Sequence, residues 1–381
     1  MGPERFISAK LRFQGSIAAV SIAVSFLVII LAIAISSGFR REVRDGVAAM
    51  TGDLRIQSVA SAEIPVSLPS EAEILSLPGV KAITPVVVRQ GIVRSGDVIH
   101  GVVVKGVPDR ADSSLCVSIP SRLSEITGLG VGDEMVTYFV GEKVRVRRFR
   151  ISEVHRDILE MDDNLLVYAR LDDMQRLCQL GEDKASVLEV SLRNEMRSTP
   201  AMEELRGRVG SILIGSGFDE EEDLYVQSSV SAYPQLFDWL DLLDYNVVFI
   251  LLLMVLVAGF NMVSGLLIVL FRNISTIGTL KTLGMSDRGI AKVFLRVSSS
   301  VVFKGMLWGN ALALLFCLVQ GTTHLIPLDP ANYFVSFVPV HVNLLSVLAA
   351  DAIAFAAIML LLLLPSLFIA RVDPARTVRA E

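Results

Sequence analysis

Four long apolar runs constrain this chain more than any other feature: Ser16–Ser37, Asn246–Phe271, Ser298–Gln320 and Leu344–Ala370. A helix rises about 1.5 Å per residue, so each run is long enough to cross a hydrocarbon core of roughly 30 Å. Charged residues are nearly absent inside the runs and cluster outside them, which a set of buried soluble helices would not require. The runs also account for an apolar content of 52%, above the usual range for soluble domains. Ala32-Ile33-Ala34 resembles a signal-peptidase site at the end of the first run. However, Ile17–Ile35 is longer than a signal core, and Phe39–Met50 continues it with helix-compatible residues. The expectation is an uncleaved anchor.

Basic residues set the orientation. Arg5, Lys10 and Arg12 precede the first span; Arg272, Lys281, Arg288, Lys292 and Arg296 lie between the second and third; Arg371, Arg376 and Arg379 follow the fourth. The loop Gly321–Asn343 has neither Lys nor Arg. The expected division is a cytoplasmic N-terminus (1–15), spans at 16–37, 246–271, 298–320 and 344–370, a cytoplasmic loop (272–297), a short outer loop (321–343) and a cytoplasmic tail (371–381). Residues 38–245 then form an extracytoplasmic domain. The fold class expected is a membrane α-helical protein with four transmembrane helices and an inserted α+β domain.

Within the domain, Phe39–Met50 reads as an amphipathic stalk continuing the first span, and Gln235–Tyr245 as a stalk returning into the second. Alternating or β-branched segments predict strands at Asp53–Ser58, Ile83–Arg89, Val98–Val107, Met135–Val140, Val144–Val154 and Val187–Leu192. Short helices are expected at Ala72–Leu77, Pro120–Thr127, Leu171–Leu180 and Pro200–Val209, with a break near Val107–Ser114 separating two subdomains. Cys116 and Cys178 lie in the domain, where spacing leaves their pairing open; Cys317, in the third span, reads as a packing residue.

The sequence offers little catalytic chemistry. Gly91–Gly96 has phosphate-loop spacing, but Asp97 stands where a lysine is needed. His100, His155, His324 and His341 lack metal-ligand spacing, and the acidic clusters Glu160–Asp163 and Asp219–Asp223 read as solvated loops. The connector 272–297 is more structured than its length needs. Gly284 suits a left-handed helix cap, Ser286 an N-cap, and Asp287 a first turn, with Ile290, Val293 and Phe294 on one apolar face of a short second helix. Inside the spans, Asn261 suggests an interhelical hydrogen bond, Gly305-x-x-x-Gly309 a close-packing surface, and Lys304 a snorkelling cation. Lys304 and Asp351 lie at different depths and are not expected to pair.

Several segments resemble one family. Ala258–Leu266 is similar to an A-x-F-N-I-x-S-S-L segment, Thr276–Ser286 to E-I-A-I-L-R/K-T-L-G-A-S, and Ala370–Glu381 to A-x-x-D-P-x-x-x-L-R-Y-E. Phe337–Val342, Leu77–Val80, Ile83–Val87 and Val104–Val107 fit as well. The chain thus resembles FtsX-like permeases of ABC transporters, specifically the lipoprotein-releasing (Lol) permeases with a MacB-like periplasmic core. It departs from their pattern at Thr276, where glutamate is usual, at Lys304, usually apolar, and at Ala380, usually tyrosine.

The resemblance implies a non-catalytic permease subunit of the bacterial inner membrane, multi-pass, with both termini cytoplasmic. It implies two copies of a separate ABC ATPase, which would hold ATP and Mg, and a second permease subunit, identical or paralogous. The cargo would be an acylated lipoprotein taken from membrane lipids and passed to a periplasmic chaperone; no nucleic acid is implied, and no cofactor or metal in this chain. An efflux or mechanotransmitting permease of the MacB/FtsX type is the alternative, and a membrane-anchored receptor without transport a second. The expected ATPase-coupling residues are Lys281, Thr282, Leu283, Gly284, Met285, Ser286, Asp287, Arg288, Ile290 and Phe294. Phe26, Ile30 and Ile35 of the first span, with Phe249, Leu253, Met254 and Val257 of the second, are expected to line an acyl-chain cavity.

Overall fold

The computed structural model describes residues 16–61, 63–96, 98–108, 113–140, 144–156, 165–216, 223–329, 333 and 335–366. The basic residues at 5, 10 and 12, the acidic cluster at 160–163 and the terminal motif at 370–381 lie outside them. The chain divides into a membrane unit (through Phe39, Leu240–Ile326 and from Val338 onward) and a domain (Arg40–Trp239 with Pro327–Phe337).

The elements run in the following order. Helix α1 (Ser16–Thr51) contributes residues to both units and is followed by β1 (Leu54–Ser58), β2 (Ile64–Pro65), α2 (Glu71–Ser76), β3 (Val80–Ser95) and β4 (Val98–Val107). Next come β5 (Cys116–Pro120), α3 (Ser121–Thr127), β6 (Glu134–Phe139), β7 (Arg145–His155), β8 (Leu165–Arg170), α4 (Leu171–Cys178), β9 (Lys184–Ala185) and β10 (Val187–Leu192). Then follow α5 (Thr199–Gly215), β11 (Leu224–Ser228), α6 (Ser229–Ala232), α7 (Pro234–Arg272), α8 (Ile274–Thr282), α9 (Asp287–Thr323), α10 (Leu344–Leu361) and α11 (Leu363–Ser366). Among the described residues, α1, α7, α9 and the segment beginning with α10 are long and apolar enough to cross a membrane.

The domain is α+β, built on one nine-stranded sheet ordered β11-β1-β10-β3-β4-β8-β5-β7-β6. Because β6 also pairs with β3, the strands from β3 to β6 in that order close on themselves into a barrel, leaving no free edge there. β3 serves both parts. Its first half, Val80–Val86, pairs with β10, and from Val87 onward it pairs with β4. Val93, Val104, Val117, Met135, Phe149 and Val167 fill the barrel interior, with Leu123 of α3 and Met174 of α4. Leu54, Ile56, Leu188 and Val190 of the open part form a second core with Ile74 of α2 and Leu205 and Val209 of α5. The expected subdomain break near 107–114 is therefore misplaced. The chain changes subdomain inside a single continuous strand, where no turn signal marks it. Cys116 and Cys178 are both free thiols.

Where α1 ends, a buried polar network fixes it to the sheet. Lys105 Nζ of β4 donates to Ala49 O at 3.0 Å and Met50 O at 3.2 Å, terminal carbonyls of α1, and pairs with Glu189 Oε2 at 2.6 Å. Arg55 stands 3.6 Å from the same carboxylate. Burial pushes Glu189 up and Lys105 down from their ordinary values, each opposed by the other's charge. Beside them Asp53 accepts from Leu192 N and Arg197, which also pairs with Asp45 of α1 at 2.7 Å.

In the membrane unit, every fourth residue of α7 (Ala258, Met262, Leu266, Leu270) is buried, against Ile22, Phe26 and Ile29 of α1, Ile290, Phe294 and Val302 of α9, and Ala354 and Ile358 of α10. A Cβ on Gly305 would lie 2.7 Å from Ile22 Cγ2, and one on Gly309 would lie 2.9 Å from Phe26 Cβ. Helices α1 and α9 thus run side by side at a separation that only hydrogen allows. Ahead of α10 the chain is strapped to α1. His341 N donates to Ala34 O at 2.9 Å, Ser37 Oγ donates to His341 O at 2.6 Å, and a Cβ on Gly38 would strike Pro339 O.

Candidate functional site

The connector between α7 and α9 forms the first candidate surface. Helix α8 ends at Thr282, and Gly284 follows in the left-handed region with φ +88°. Gly284 N donates to Lys281 O and Met285 N to Leu280 O, closing the helix end. Ser286 then caps α9 by accepting from Gly289 N, and Lys281 Nζ meets Asp287 Oδ1 at 2.8 Å across the turn. The outcome is a stiff corner with Thr282, Leu283, Gly284, Ser286, Asp287 and Arg288 exposed. Leu283 is 78% exposed.

Two expectations about this corner need correction. The segment after Gly284 is not a short surface helix; it is the beginning of α9 and runs on as the third span. Ile290 and Phe294 are 0% and 2% exposed within the membrane unit's own core, and Met285 packs against that core. Ile290 and Phe294 are closed to a soluble partner, because an apolar face at helical spacing has found α1, α7 and α10 instead, while Met285 stays half-buried.

The second candidate surface is the apolar face of α7. Phe249, Leu253 and Val257 are exposed (66%, 39% and 41%), and Met254 is half-buried. Their expected partners on α1 divide. Ile35 is half-buried, whereas Phe26 and Ile30 are fully buried, Phe26 beside Gly309 and Ile30 with Ala313 and Val347. The correction is physical: small residues on α9 leave sockets into which these two large side chains fit, so they pack inside the bundle and do not face outward with the α7 residues. Asn261 donates through Nδ2 to Ser21 Oγ of α1.

Two polar contacts escaped the sequence reading, which named Asp351 without a partner. Asn310 of α9 donates to Asp351 of α10, which is only 6% exposed, and Gln320 Nε2 donates to Val338 O at 3.1 Å while its Oε1 accepts from Ile326 N. The only signal for either was a polar residue isolated among apolar ones. Among the described residues no three His, Cys, Asp or Glu side chains gather where they could hold a metal ion.

Residues 248–374, from α7 to the C-terminal region, match the family described as FtsX-like permease C-terminal, so this segment is an FtsX-like permease domain. In this segment the chain is therefore similar to permeases of ABC transporters. Two curated relatives are similar to it over nearly their whole length. One is the lipoprotein-releasing system transmembrane protein LolC of Xylella fastidiosa, 23% identical over 99% of this chain and 97% of the relative. The other is LolE of Haemophilus influenzae, 22% identical over 95% and 93%. Two solved structures were also compared. The extracellular domain of YknZ from Gram-positive bacteria shares 10% identity over 46% of this chain and 99% of its own, with a TM-score of 0.30. The periplasmic region of MacB from Actinobacillus actinomycetemcomitans shares 13% over 50% and 95%, with a TM-score of 0.29.

Proposed function

We propose that this chain is the permease subunit of a transporter that extracts acylated lipoproteins from the inner membrane and passes them to a periplasmic chaperone. A separate ATPase, two copies of it docked on a pair of permease subunits, would supply the work. The observation that carries this reading is the end-to-end similarity to lipoprotein-releasing permeases, which spans the membrane helices and the domain alike. The exposed corner at Thr282–Arg288 supports it as an ATPase contact, since Gly284, the Ser286 cap and the Lys281–Asp287 pair make it rigid. Exposed Phe249, Leu253 and Val257 support α7 as the acyl-chain face. Such a face is needed. At about 0.8 kcal/mol per CH₂, one acyl chain of about 15 methylenes holds about 12 kcal/mol of burial, so release through water is closed.

Depletion of the protein in its own host is the test. The reading expects lipoproteins to accumulate in the inner membrane and an ATPase to copurify with the chain. Normal lipoprotein sorting with altered drug sensitivity would overturn it in favour of efflux.

A further inference from the structure

Helices α1 and α9 leave between them an open cavity of about 430 Å³. Ala19, Val20 and Val24 form one wall, and Lys304, Trp308 and Leu312 the other. The two helices run parallel here, because Gly305 meets Ala19 and Ile22 while Gly309 meets Ala23 and Phe26. Along α9, Lys304 and Leu312 are eight positions apart, so the groove is about 12 Å long. Its wall is apolar throughout; Lys304 lends it the hydrocarbon stem and stands exposed at the end nearest the start of both helices.

Lys304 also lies eight positions beyond Arg296, about 12 Å further into the span. A cation at that depth needs an anion close by, or it must reach back toward the headgroups. Among the described residues no carboxylate is close enough to Lys304 for an ion pair. Within 16–37, 246–271, 298–320 and 344–366 the other charged side chain is Asp351, which is buried beside Asn310. A second copy of this chain laid in the groove would therefore bring no carboxylate from its own spans to meet the ammonium. An amphiphile with an anionic head and an apolar tail satisfies both ends at once.

We propose that this groove binds an anionic glycerophospholipid, one acyl chain lying between Val20, Val24 and Trp308 and the phosphate paired with Lys304. The site goes beyond the transport reading and does not depend on which cargo is moved.

The test uses the full-length chain in nanodiscs of phosphatidylglycerol and phosphatidylcholine in equal amounts, with a photoactivatable group on the acyl chain of either lipid. In the wild type, labelling of the peptides carrying Val20–Leu27 and Trp308 should favour the phosphatidylglycerol probe about fivefold. Lys304→Met should abolish that preference while keeping the labelling, and Val24→Trp should remove labelling by both probes. Heat stability of each variant in the same nanodiscs, unchanged from wild type, is the folding control, and Val20→Phe replaces Val24→Trp if the tryptophan unfolds the bundle. Equal labelling by the two probes in the wild type, or a preference that survives Lys304→Met, overturns the proposal. So does an unlabelled groove in which Val24→Cys forms a disulfide between two copies, which would make it a protein interface.

Discussion

Replacing Lys105 with methionine tests whether the end of α1 is fastened to the sheet as described. The ammonium has three partners within 3.2 Å: Glu189 Oε2 and the carbonyls of Ala49 and Met50. Methionine keeps the stem's packing but strands a carboxylate whose side chain is 8% exposed, together with two helix-terminal acceptors. Breaking a buried pair from one side typically costs about 3–5 kcal/mol. Arg55, 3.6 Å from Glu189 Oε1, retains part of the compensation, so about 3 kcal/mol is expected. That corresponds to a fall of about a hundredfold in the protection of amides in β4, β10 and the last turn of α1, read by hydrogen exchange on the full-length chain. Lys105→Met combined with Glu189→Leu should recover most of it, because a matched apolar pair removes the stranded charge. Unchanged protection in the single variant, or a double variant worse than the single, would refute the reasoning.

Gly309→Val would drive a side chain into the backbone of α1 at Ala23, and overpacking of this kind should lower stability by about 1–3 kcal/mol, seen as a lower melting temperature in detergent. Leu283→Asp should leave stability within about 0.5 kcal/mol, because the residue is exposed, yet abolish copurification of the ATPase; retained copurification argues against the corner as the contact. Phe294→Ala should do the converse, destabilising the bundle by about 3–5 kcal/mol in thermal unfolding. For orientation, a single cysteine at Ser286 should react with an impermeant reagent only after the inner membrane is opened, and one at Gly181 should react from outside. Reversal of either result sinks the assigned topology.

Length and apolarity alone revealed the long helices, because nothing else in the chain mimics what a bilayer demands. Most strands were also legible: Val98–Val107 and Val187–Leu192 are apolar, valine-bearing runs and appear with those bounds as β4 and β10. Five strands were missed for local reasons, β2 and β9 because two residues carry no pattern. β5 is five residues ending in a proline, β8 passes into α4 without a turn, and β11 directly follows an acidic run. The connector's Gly284 and Ser286 were readable because caps are written in single residues. Which apolar side chains would turn inward was not. Phe26 and Phe249 are alike in sequence and opposite in burial, and the difference lies in Gly309 and Ala313 on a helix almost three hundred positions away. Helical spacing assigns a residue to a face, but only the partner's small residues decide whether that face is filled.

The sharing of β3 between barrel and open sheet has a consequence for how the domain is born. A nascent chain delivers everything from β3 to β8 before it delivers β10 and β11, so the barrel can close while the first half of β3 still waits for its neighbour. During that interval Val80–Val86 is an unpaired edge, the kind of template on which emerging chains stick to one another. Pro85, which faces Leu188 in the finished ladder, brings no backbone N–H to that edge one residue from its end. The same residue that weakens the final pairing slightly thus guards the half-made domain against joining the wrong strand.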